Sequence, residues 1–409
     1  MHIMRGLSIM RLLVALLIFW AISGCMPVNS ESPGGVKPPG EGTSQAQKKR
    51  TPIDEPEAEG ASTLDVWQAE DAAKISLQKP VEPIRGIYVT SHVARSRRMD
   101  DLIKLVDQTE LNAMVLDINS GMALTALPTS PRAAPYTIAN TRSAQKMKQL
   151  VRKLKEHRIY TIARIITFKN AELARAVPAW SIKRKDGRVW RDHGGSPWID
   201  PYRQEAWEYP LKLAEHAASI GFDEVQFDYV RFPENEKKVD QEVAYANPHK
   251  LSKSEAIRRF LHRAAVRAHK AGARVSADVF GLVGSSEDDM GIGQSWASIA
   301  SEVDVISPMI YPSHYAGGIW GIAHPDLTPR PIIAHALKDI TEKNKRLSAR
   351  SIDTAKVRPW YQSFTATWVQ PHQTYGANQV RQQIEVSRAA GYPSYLLWNS
   401  TSRYPPLGR

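Results

Sequence analysis

Two aspartates each lie near the end of a short β-favouring run, and together they could perform acid–base chemistry. Asp228 lies in the run EVQFDYV at 224–230, and Asp278 lies in RVSADV at 274–279. Breaking a glycosidic bond needs two carboxyl groups, because one stays ionised beside the anomeric carbon and the other holds a proton for the leaving oxygen. Mutual repulsion between close carboxylates raises the pKa of one of them, which suits a general acid. Asp228 and Asp278 are therefore the candidate catalytic pair.

Other polar and aromatic side chains follow similar runs elsewhere in the chain. A sugar ring packs its C–H face on an aromatic plane, while its hydroxyl groups require polar partners, so this mixture is typical of a carbohydrate site. The candidate substrate-binding residues are Asp117, Asn119, Arg164, Arg231, Tyr311, His314, Gln362, Trp398 and Asn399. Trp398, directly before Asn399, is the best single candidate for a sugar platform.

The elements that must position these residues alternate between β-favouring runs and amphipathic helical stretches. The predicted strands span 85–90, 112–119, 159–167, 224–230, 274–279, 305–310, 357–364 and 394–399, and the predicted helices span 99–109, 143–157, 204–220, 253–271 and 379–390. Eight such strands predict an α/β protein with a (β/α)8 TIM barrel. A doubly wound sheet is the alternative, although no glycine-rich phosphate turn follows the first strand. The long stretch at 168–200 is expected to cover the barrel mouth.

Strand alternation predicts the direction of Asp228. Successive side chains of a strand point to opposite faces, and Asp228 lies on the polar face of the run 224–230. The apolar face suits the surrounding helices, so Asp228 should point into the barrel mouth, where TIM barrels carry their active sites. A buried carboxylate is costly unless it is paired, so we expect Arg231 or Arg164 beside it. The alternative is an ion pair that only orders the loop, with Asp278 as its support.

Five segments carry a family resemblance over residues 81 to about 402. They are GFDEVQFDYVRFP at 221–233, RGIYVTSHVA at 85–94, VSADVFG at 275–281, GIGQSW at 291–296 and DVISPMIYPSHY at 304–315. Together they resemble a bacterial family assigned as glycoside hydrolases with a TIM barrel, distantly similar to the α-amylase superfamily.

The resemblance implies roles for particular residues. In the larger group of barrel glycosidases the fourth-strand aspartate is the nucleophile, which implies that role for Asp228. The amylase pattern has a glutamate as acid/base at the end of the fifth strand, where this chain has Asp278. Related α-glycosidases take their acid from the sixth strand, which offers Tyr311 and His314 here but no carboxylate. The loop carboxylates that could replace them are Glu287, Asp288 and Glu234.

The N-terminus has the pattern of an export signal. Arg5 and Arg11 precede the apolar run LLVALLIFW at 12–20, which has the length of a signal-peptide core and is short for a membrane span. The following ISGC at 22–25 resembles the bacterial lipoprotein box, which implies cleavage before Cys25 and a lipid on its thiol. An ordinary signal peptide with an incidental cysteine is the alternative.

The predicted organisation is a signal peptide at 1–24, a flexible tether at 25–80 and a barrel domain at 81–409. The tether is rich in Pro, Gly, Ser and charged residues and cannot bury enough apolar surface to order itself. We expect an exported protein that is lipid-anchored to the cell envelope, on the outer membrane if the source is Gram-negative.

The charge balance indicates which classes of binding partner to expect. Residues 81–409 hold 46 lysines and arginines against 33 acidic residues. A basic surface favours polyanions, although solubility alone would explain it equally well. An exported lipoprotein rarely meets nucleic acid and the chain has no nucleic-acid motif, so we expect a polysaccharide or oligosaccharide partner and membrane contact through Cys25. No cofactor or metal is expected, since the single cysteine excludes a cysteine-based zinc site and the acidic loop 287–289 lacks the ligand spacing of a calcium loop.

Three functions remain open on this sequence. The first is a hydrolase of a cell-envelope or secreted polysaccharide that uses the paired carboxylates. The second is a non-catalytic glycan-binding barrel, which the absence of a fifth-strand glutamate favours. The third is a scaffold lipoprotein that docks a protein partner, which the long tether fits.

Overall fold

Eight parallel strands form a closed barrel in the computed structural model, which describes residues 80, 82–119, 125–128, 130 and 142–407. The strands are β1 (Arg85–Val89), β2 (Ala113–Asp117), β3 (Tyr160–Ile166), β4 (Glu224–Asp228), β5 (Arg274–Phe280), β6 (Val305–Ile310), β7 (Lys356–Val357 and Trp360–Gln362) and β8 (Tyr395–Trp398). β1 pairs with both β2 and β8, and β7 pairs with both β6 and β8, so the sheet closes on itself. The TIM-barrel prediction is confirmed, and the doubly wound alternative is wrong. Cys25, the signal peptide and the tether lie outside the described residues.

Seven helices follow the first seven strands and surround the barrel. They are α1 (Arg98–Gln108), α2 (Arg142–Glu156), α3 (Gln204–Ser219), α4 (Lys253–Lys270), α5 (Trp296–Ala300), α6 (Pro329–Ser348) and α7 (Ala377–Ala389). Shorter helices at Ser91–Ala94, Ala171–Ala176 and Glu236–Glu242 lie in the loops that follow β1, β3 and β4. Within the described ranges, no helix is both long enough and apolar enough to cross a membrane.

The outward face of β4 packs on the helices as the alternation predicts. Phe227 meets Phe260 of α4 edge-on, with ring centroids 5.3 Å apart, and Phe260 meets Trp207 of α3 at 5.7 Å. All three rings are buried. This aromatic contact fixes the orientation of β4, so Glu224 and Asp228 on its other face point into the barrel.

The seventh strand is not continuous, although one strand at 357–364 is expected from the sequence. It consists of two short pieces, Lys356–Val357 and Trp360–Gln362, and both pair with β6. Pro359 lies between them and has no N–H to donate to a ladder, which explains the interruption. The carbonyl of Pro359 still accepts a hydrogen bond from Leu396 of β8, so the barrel stays closed at this point.

The segment 168–200 folds into compact structure of its own. It contains the helix Ala171–Ala176 and the two-residue strand Lys183–Arg184, which pairs antiparallel with Val243–Ala244 after β4. Trp198 is fully buried and meets the ring of Tyr229 edge-on at 6.3 Å. The segment therefore packs on the loop that follows β4 and holds that loop in place.

A buried ion pair occupies the N-terminal end of the barrel interior. Both guanidinium nitrogens Nη1 and Nη2 of Arg358 donate to the carboxylate of Glu224, which also accepts from Tyr160 Oη at 3.1 Å and from Ser276 Oγ at 2.5 Å. Glu224 and Arg358 are almost completely excluded from solvent. A buried ion pair with this many hydrogen bonds stays stable only while both charges are present.

Removing one charge of this pair should destabilise the fold strongly. Glu224→Gln leaves Arg358 as an uncompensated buried cation, so we expect the free energy of unfolding to fall by about 3–5 kcal/mol. Adding Arg358→Met should recover much of that loss. Urea unfolding of the single and double variants measures both effects.

The matched control is Glu342→Gln in the exposed Lys345–Glu342 pair of α6. Exposed pairs contribute little, so this change should stay within about 0.5 kcal/mol of the wild type. If Glu224→Gln is as mild as Glu342→Gln, the pair does not stabilise the barrel in the way described.

Candidate active site

Arg164 of β3 connects the carboxylates at the ends of β2 and β4. Its Nη1 donates to Asp117 Oδ1 at 2.5 Å, and its Nε and Nη2 donate to Asp228 Oδ2 at 3.0 and 2.5 Å. The strand register brings them together, because Asp117 pairs with Arg164 and Ile166 pairs with Asp228. Burial disfavours the charge on Arg164, but the two carboxylates outweigh that effect and raise the pKa of the guanidinium. Arg164, and not Arg231, is thus the partner of Asp228.

The backbone after β4 also fixes Asp228. Tyr229 has a φ of +51°, in the left-handed region that bulky residues rarely adopt. This conformation lets the N–H of Tyr229 donate to Asp228 Oδ1 at 2.6 Å. Arg164 donates twice to Oδ2, and the Tyr229 N–H donates once to Oδ1, so Oδ1 keeps a further lone pair for a ligand.

Asp278 is the neighbour of Asp228 on the adjacent strand. Phe227 pairs with Ala277 across β4 and β5, so the next position places Asp228 beside Asp278. Neighbouring strands lie about 4.8 Å apart, and side chains at paired positions face the same way. Both aspartates are therefore in the mouth of the barrel.

The surroundings of Asp278 favour its protonated form. Burial raises the pKa of Asp278, the nearby Asp228 raises it further, and Arg164 and a hydrogen bond from Trp360 only partly oppose this. Trp360 Nε1 donates to Asp278 Oδ1 at 2.7 Å, which leaves Oδ2 free to carry a proton. The two aspartates thus differ, because Asp228 is held in an ion pair with Arg164 and the surroundings of Asp278 raise its pKa.

Gln294 fixes the backbone around Asp278, a role that no local sequence pattern predicts. Its Nε2 donates to the carbonyl of Asp278 at 3.1 Å, and its Oε1 accepts from the N–H of Phe280 at 3.0 Å. Gln294 is buried and belongs to the GIGQSW segment. Its position within that segment was the available signal, but a glutamine in a loop does not reveal its partner.

Aromatic rings form one wall of the mouth. Trp398 stacks on Tyr88 with centroids 4.0 Å apart, and Trp360 meets Trp398 edge-on at 5.7 Å. The guanidinium of Arg164 lies 5.0 Å from the Trp398 ring, and Tyr88 Oη donates to Asp117. Local sequence patterns do not predict the roles of Tyr88 and Trp360, since their hydrogen bonds to aspartates depend on the closed barrel.

Tyr311 and His314 lie at the end of β6, as expected, but neither has the state of a general acid with a proton ready to give. Burial raises the pKa of Tyr311, and Asp278 and Asp228 raise it further, so the phenol stays neutral. Desolvation lowers the pKa of His314 to about 4, so its imidazole is neutral at pH 7. The two rings meet edge-on at 5.2 Å and line the rim of the mouth.

Three predicted substrate-binding amides are engaged with loops. Asn119 accepts from and donates to the backbone of Ile166, at 2.7 and 3.2 Å. Gln362 accepts from the N–H of Ser313 and donates to Asp326 and to the carbonyl of Phe364. Asn399 donates to the carbonyl of Ser363 and accepts from Thr401. Through these hydrogen bonds the three side chains stabilise the backbone and loops around the mouth. Among the described residues, their hydrogen bonds do not go to Asp228 or Asp278.

Arg231 also stabilises a loop, the one that follows β4. Its guanidinium lies 5.1, 5.3 and 4.6 Å from the ring centroids of Trp198, Tyr229 and Phe280, and its Nη2 donates to Glu234 at 2.6 Å. Arg231 is buried, so this aromatic cage replaces its hydration. The cage fixes the loop after β4 and keeps Arg231 from Asp228.

The loop carboxylates that could serve as alternative acids have different surroundings from Asp278. Burial opposes the charge on Glu234, but Arg231, Lys169 and hydrogen bonds together outweigh burial and lower the pKa of Glu234, so this carboxyl stays ionised. Glu287 and Asp288 are exposed, and Glu287 pairs with Arg346 on the surface. Among the side chains that the structure describes, no group of three or more His, Cys, Asp or Glu is arranged to hold a metal ion.

Comparison with solved structures finds similar chains, and the one with a TM-score above 0.5 supports the same fold. The endo-β-1,4-mannanase from Thermotoga petrophila has a TM-score of 0.51 and 13% identity, over 80% of this chain and 72% of that chain. A hypothetical protein from Ruminiclostridium thermocellum has 27% identity and a TM-score of 0.38, over 50% of this chain and 98% of that chain. The glycoside hydrolase domain of PgaB (BpsB) from Bordetella bronchiseptica has 14% identity and a TM-score of 0.47, over 78% and 95%. No curated protein sequence matches the chain.

The family comparison is more specific. The sequence profile of DUF4015, described as "Putative glycosyl hydrolase domain", matches residues 86–404, which is nearly all of the barrel. This match confirms the resemblance to a glycoside hydrolase family, and the closed barrel confirms the TIM-barrel fold that the resemblance implies. The chain therefore belongs to this glycosyl hydrolase family.

Proposed function

We propose that this chain hydrolyses a glycosidic bond in a cell-envelope or secreted polysaccharide, with Asp228 and Asp278 as its catalytic residues. The observation that carries this proposal is the contrast between two neighbouring aspartates. Asp228 carries the negative charge of an ion pair with Arg164, whereas burial raises the pKa of Asp278. Glycoside hydrolysis needs this division of labour between a charged and a protonated carboxyl group.

The geometry suggests how each residue acts. Asp278 gives its proton to the departing glycosidic oxygen, and Asp228 presents its negative charge to the anomeric carbon. A water molecule then adds its hydroxyl group to the anomeric carbon, and its proton returns to Asp278. The role of Asp228 agrees with the nucleophile that the resemblance to the amylase superfamily implies. Arg164 holds Asp228 in place, and Asp117 in turn holds Arg164. The stacked rings of Tyr88 and Trp398 supply an apolar surface for the sugar.

One observation favours a glycan-binding barrel as the second candidate. Only 2% of Asp278 is exposed, compared with 7% of Asp228, so little of the proposed acid is open to a leaving oxygen. In that case the aromatic wall and the charged groups would hold a glycan without cleaving it. Product release separates the two functions.

We further propose that Cys25 carries a lipid that anchors the barrel to the cell envelope. The support is the sequence alone, in which an apolar run of signal-peptide length ends in ISGC and the chain has a single cysteine. An envelope anchor would place the barrel beside the envelope polysaccharides proposed as its substrate.

Substitution of either aspartate should abolish turnover. We expect Asp228→Asn and Asp278→Asn to lower the rate by roughly 10²–10⁴-fold, because each removes one half of the acid–base pair. The measurement is the release of sugar fragments from isolated envelope polysaccharide and peptidoglycan, by mass spectrometry, with the full chain. Urea unfolding of each variant verifies that it is folded.

The control for this test is Glu287→Gln, which removes an exposed loop carboxylate and should leave product release unchanged. Full activity in Asp228→Asn would contradict the assignment. Glycan retention by the wild type without any product would support the binding barrel instead.

The protonation of Asp278 can be tested without a substrate. Because burial raises its pKa in the folded protein, the native state binds more protons than the unfolded chain once the pH exceeds about 4. Stability should therefore fall with rising pH by up to about 1.4 kcal/mol per pH unit, until the pH passes the folded pKa. Asp278→Asn lacks this dependence. Urea unfolding at a series of pH values should show that the variant becomes more stable relative to the wild type as the pH rises. Parallel curves of unfolding free energy against pH would contradict the raised pKa.

The anchor should depend on Cys25. We expect the full chain, expressed in a bacterium, to sediment with membranes and to yield an N-terminal peptide with the mass of an attached lipid. Cys25→Ser should leave the membrane fraction because it has no thiol to modify. If Cys25→Ser still sediments with membranes, the lipid is not the anchor.

A further inference from the structure

Trp368 exposes its indole on the loop that follows β7, at the same end of the barrel as the two aspartates. Its exposure is 37%, and in the described part of the chain only Leu127 and Leu327 are comparably exposed large apolar residues. We propose that Trp368 is a second sugar platform, which binds a unit of the polysaccharide beyond those held at Asp228 and Asp278. This inference rests on the proposed function and deepens it, since it implies a polymeric substrate.

A row of rings leads from the catalytic pair to Trp368. Tyr311 belongs to the same buried cluster as Trp360, and Trp360 Nε1 donates to Asp278 Oδ1 at 2.7 Å. Phe364 meets Tyr311 edge-on at 5.7 Å, and Trp368 lies nearly parallel to Phe364 at 6.0 Å, with 17° between the ring planes. Two ring-to-ring steps therefore connect the mouth with Trp368, and each step is comparable with the length of one sugar unit.

The loop that carries Trp368 is held rigidly. The buried carboxylate of Asp326 accepts from Gln362 Nε2 and from the backbone N–H of Gln373, both at 3.0 Å. The carbonyl of Asp326 accepts from Gln373 Nε2 at 2.6 Å and from Tyr375 Oη at 3.0 Å. Gln362 also donates to the carbonyl of Phe364 at 3.1 Å. A platform fixed before the ligand arrives costs less ordering entropy on binding.

The neighbours of Trp368 suit a sugar better than an apolar protein surface. Thr367 and Gln370 are exposed on either side of it in the chain, so polar groups flank the indole. A sugar offers both an apolar ring face and hydroxyl groups, which match an indole with a hydroxyl and an amide beside it. An apolar protein partner would require a larger continuous patch.

The test compares binding of short and long glycans by the full chain. The probes are the disaccharide fraction and a long oligosaccharide fraction from partial acid hydrolysis of isolated envelope polysaccharide. Trp368→Ala should weaken binding of the long fraction by roughly five- to tenfold and leave the disaccharide unaffected. Trp368→Phe, which keeps an aromatic ring, should be intermediate. The matched control, Leu127→Ala, removes an equally exposed apolar side chain and should bind like the wild type.

Each other outcome rejects the platform in a distinct way. Equal binding of the long fraction by Trp368→Ala and the wild type overturns the platform and leaves the proposed function intact. An equal loss for the disaccharide shows that Trp368 acts at the catalytic pair and not at a second site. Failure of the wild type to bind either fraction overturns the proposed function together with the platform.

Discussion

The buried guanidinium of Arg164 determines the electrostatics of the barrel mouth. It has lost its hydration, so it needs carboxylates close by, and the register of β2, β3 and β4 supplies Asp117 and Asp228. One cation cannot fully compensate three carboxyl groups in the same mouth. Asp278, one strand further from Arg164, has no ion-pair partner of its own among the described residues, and protonation is the cheaper way to bury it. The difference between the two catalytic candidates thus follows from the strand on which the arginine lies.

The barrel interior has a charged group at each end and an apolar layer as well. The pair of Glu224 and Arg358 occupies the N-terminal end, and Arg164 with its aspartates occupies the mouth. The interior also holds an apolar cluster composed of Tyr88, Val115, Ile162, Tyr311, Trp360 and Leu396. β4 contributes to both charged ends, with Glu224 and Asp228 on one face. Its inward face therefore tolerates carboxylates only because a buried arginine reaches each of them, Arg358 from between the two pieces of β7 and Arg164 from β3.

The sequence predicts the strands well but not the partners of their side chains. Alternation along β4 is a local property, so the inward direction of Asp228 could be derived from residues 224–230 alone. The choice between Arg164 and Arg231 depends on the cage that Trp198, Tyr229 and Phe280 build around Arg231, and these rings come from three loops and strand ends. Polar residues at strand ends look alike in the sequence. Asn119, Gln362 and Asn399 bind backbone groups that only the folded loops bring near them.

Helix α6 was not predicted, because its prolines at 329 and 331 obscure its start, although proline is compatible with the first turn of a helix. The prediction of a barrel does not depend on α6, because the eight predicted strands are sufficient for it. The helix does matter for the site, because Asn344 of α6 accepts from Trp296 Nε1, and Trp296 follows closely after Gln294 on the segment that fixes Asp278. The backbone of the proposed acid is thus anchored to the outer ring of helices, beyond the reach of any local pattern.

An aspartate at the end of β5 constrains how a substrate could bind. Its side chain is one methylene shorter than the glutamate of the amylase pattern, so the carboxyl stays close to the barrel wall, where Trp360 donates to it. Proton transfer requires the leaving oxygen to approach within hydrogen-bonding distance of that carboxyl. A substrate must therefore enter deeply enough to pass the Tyr88–Trp398 stack. In the proposed mechanism, Asp278 and the aromatic wall are consequently parts of one arrangement, in which the rings would guide a sugar down to a carboxyl that cannot extend toward it.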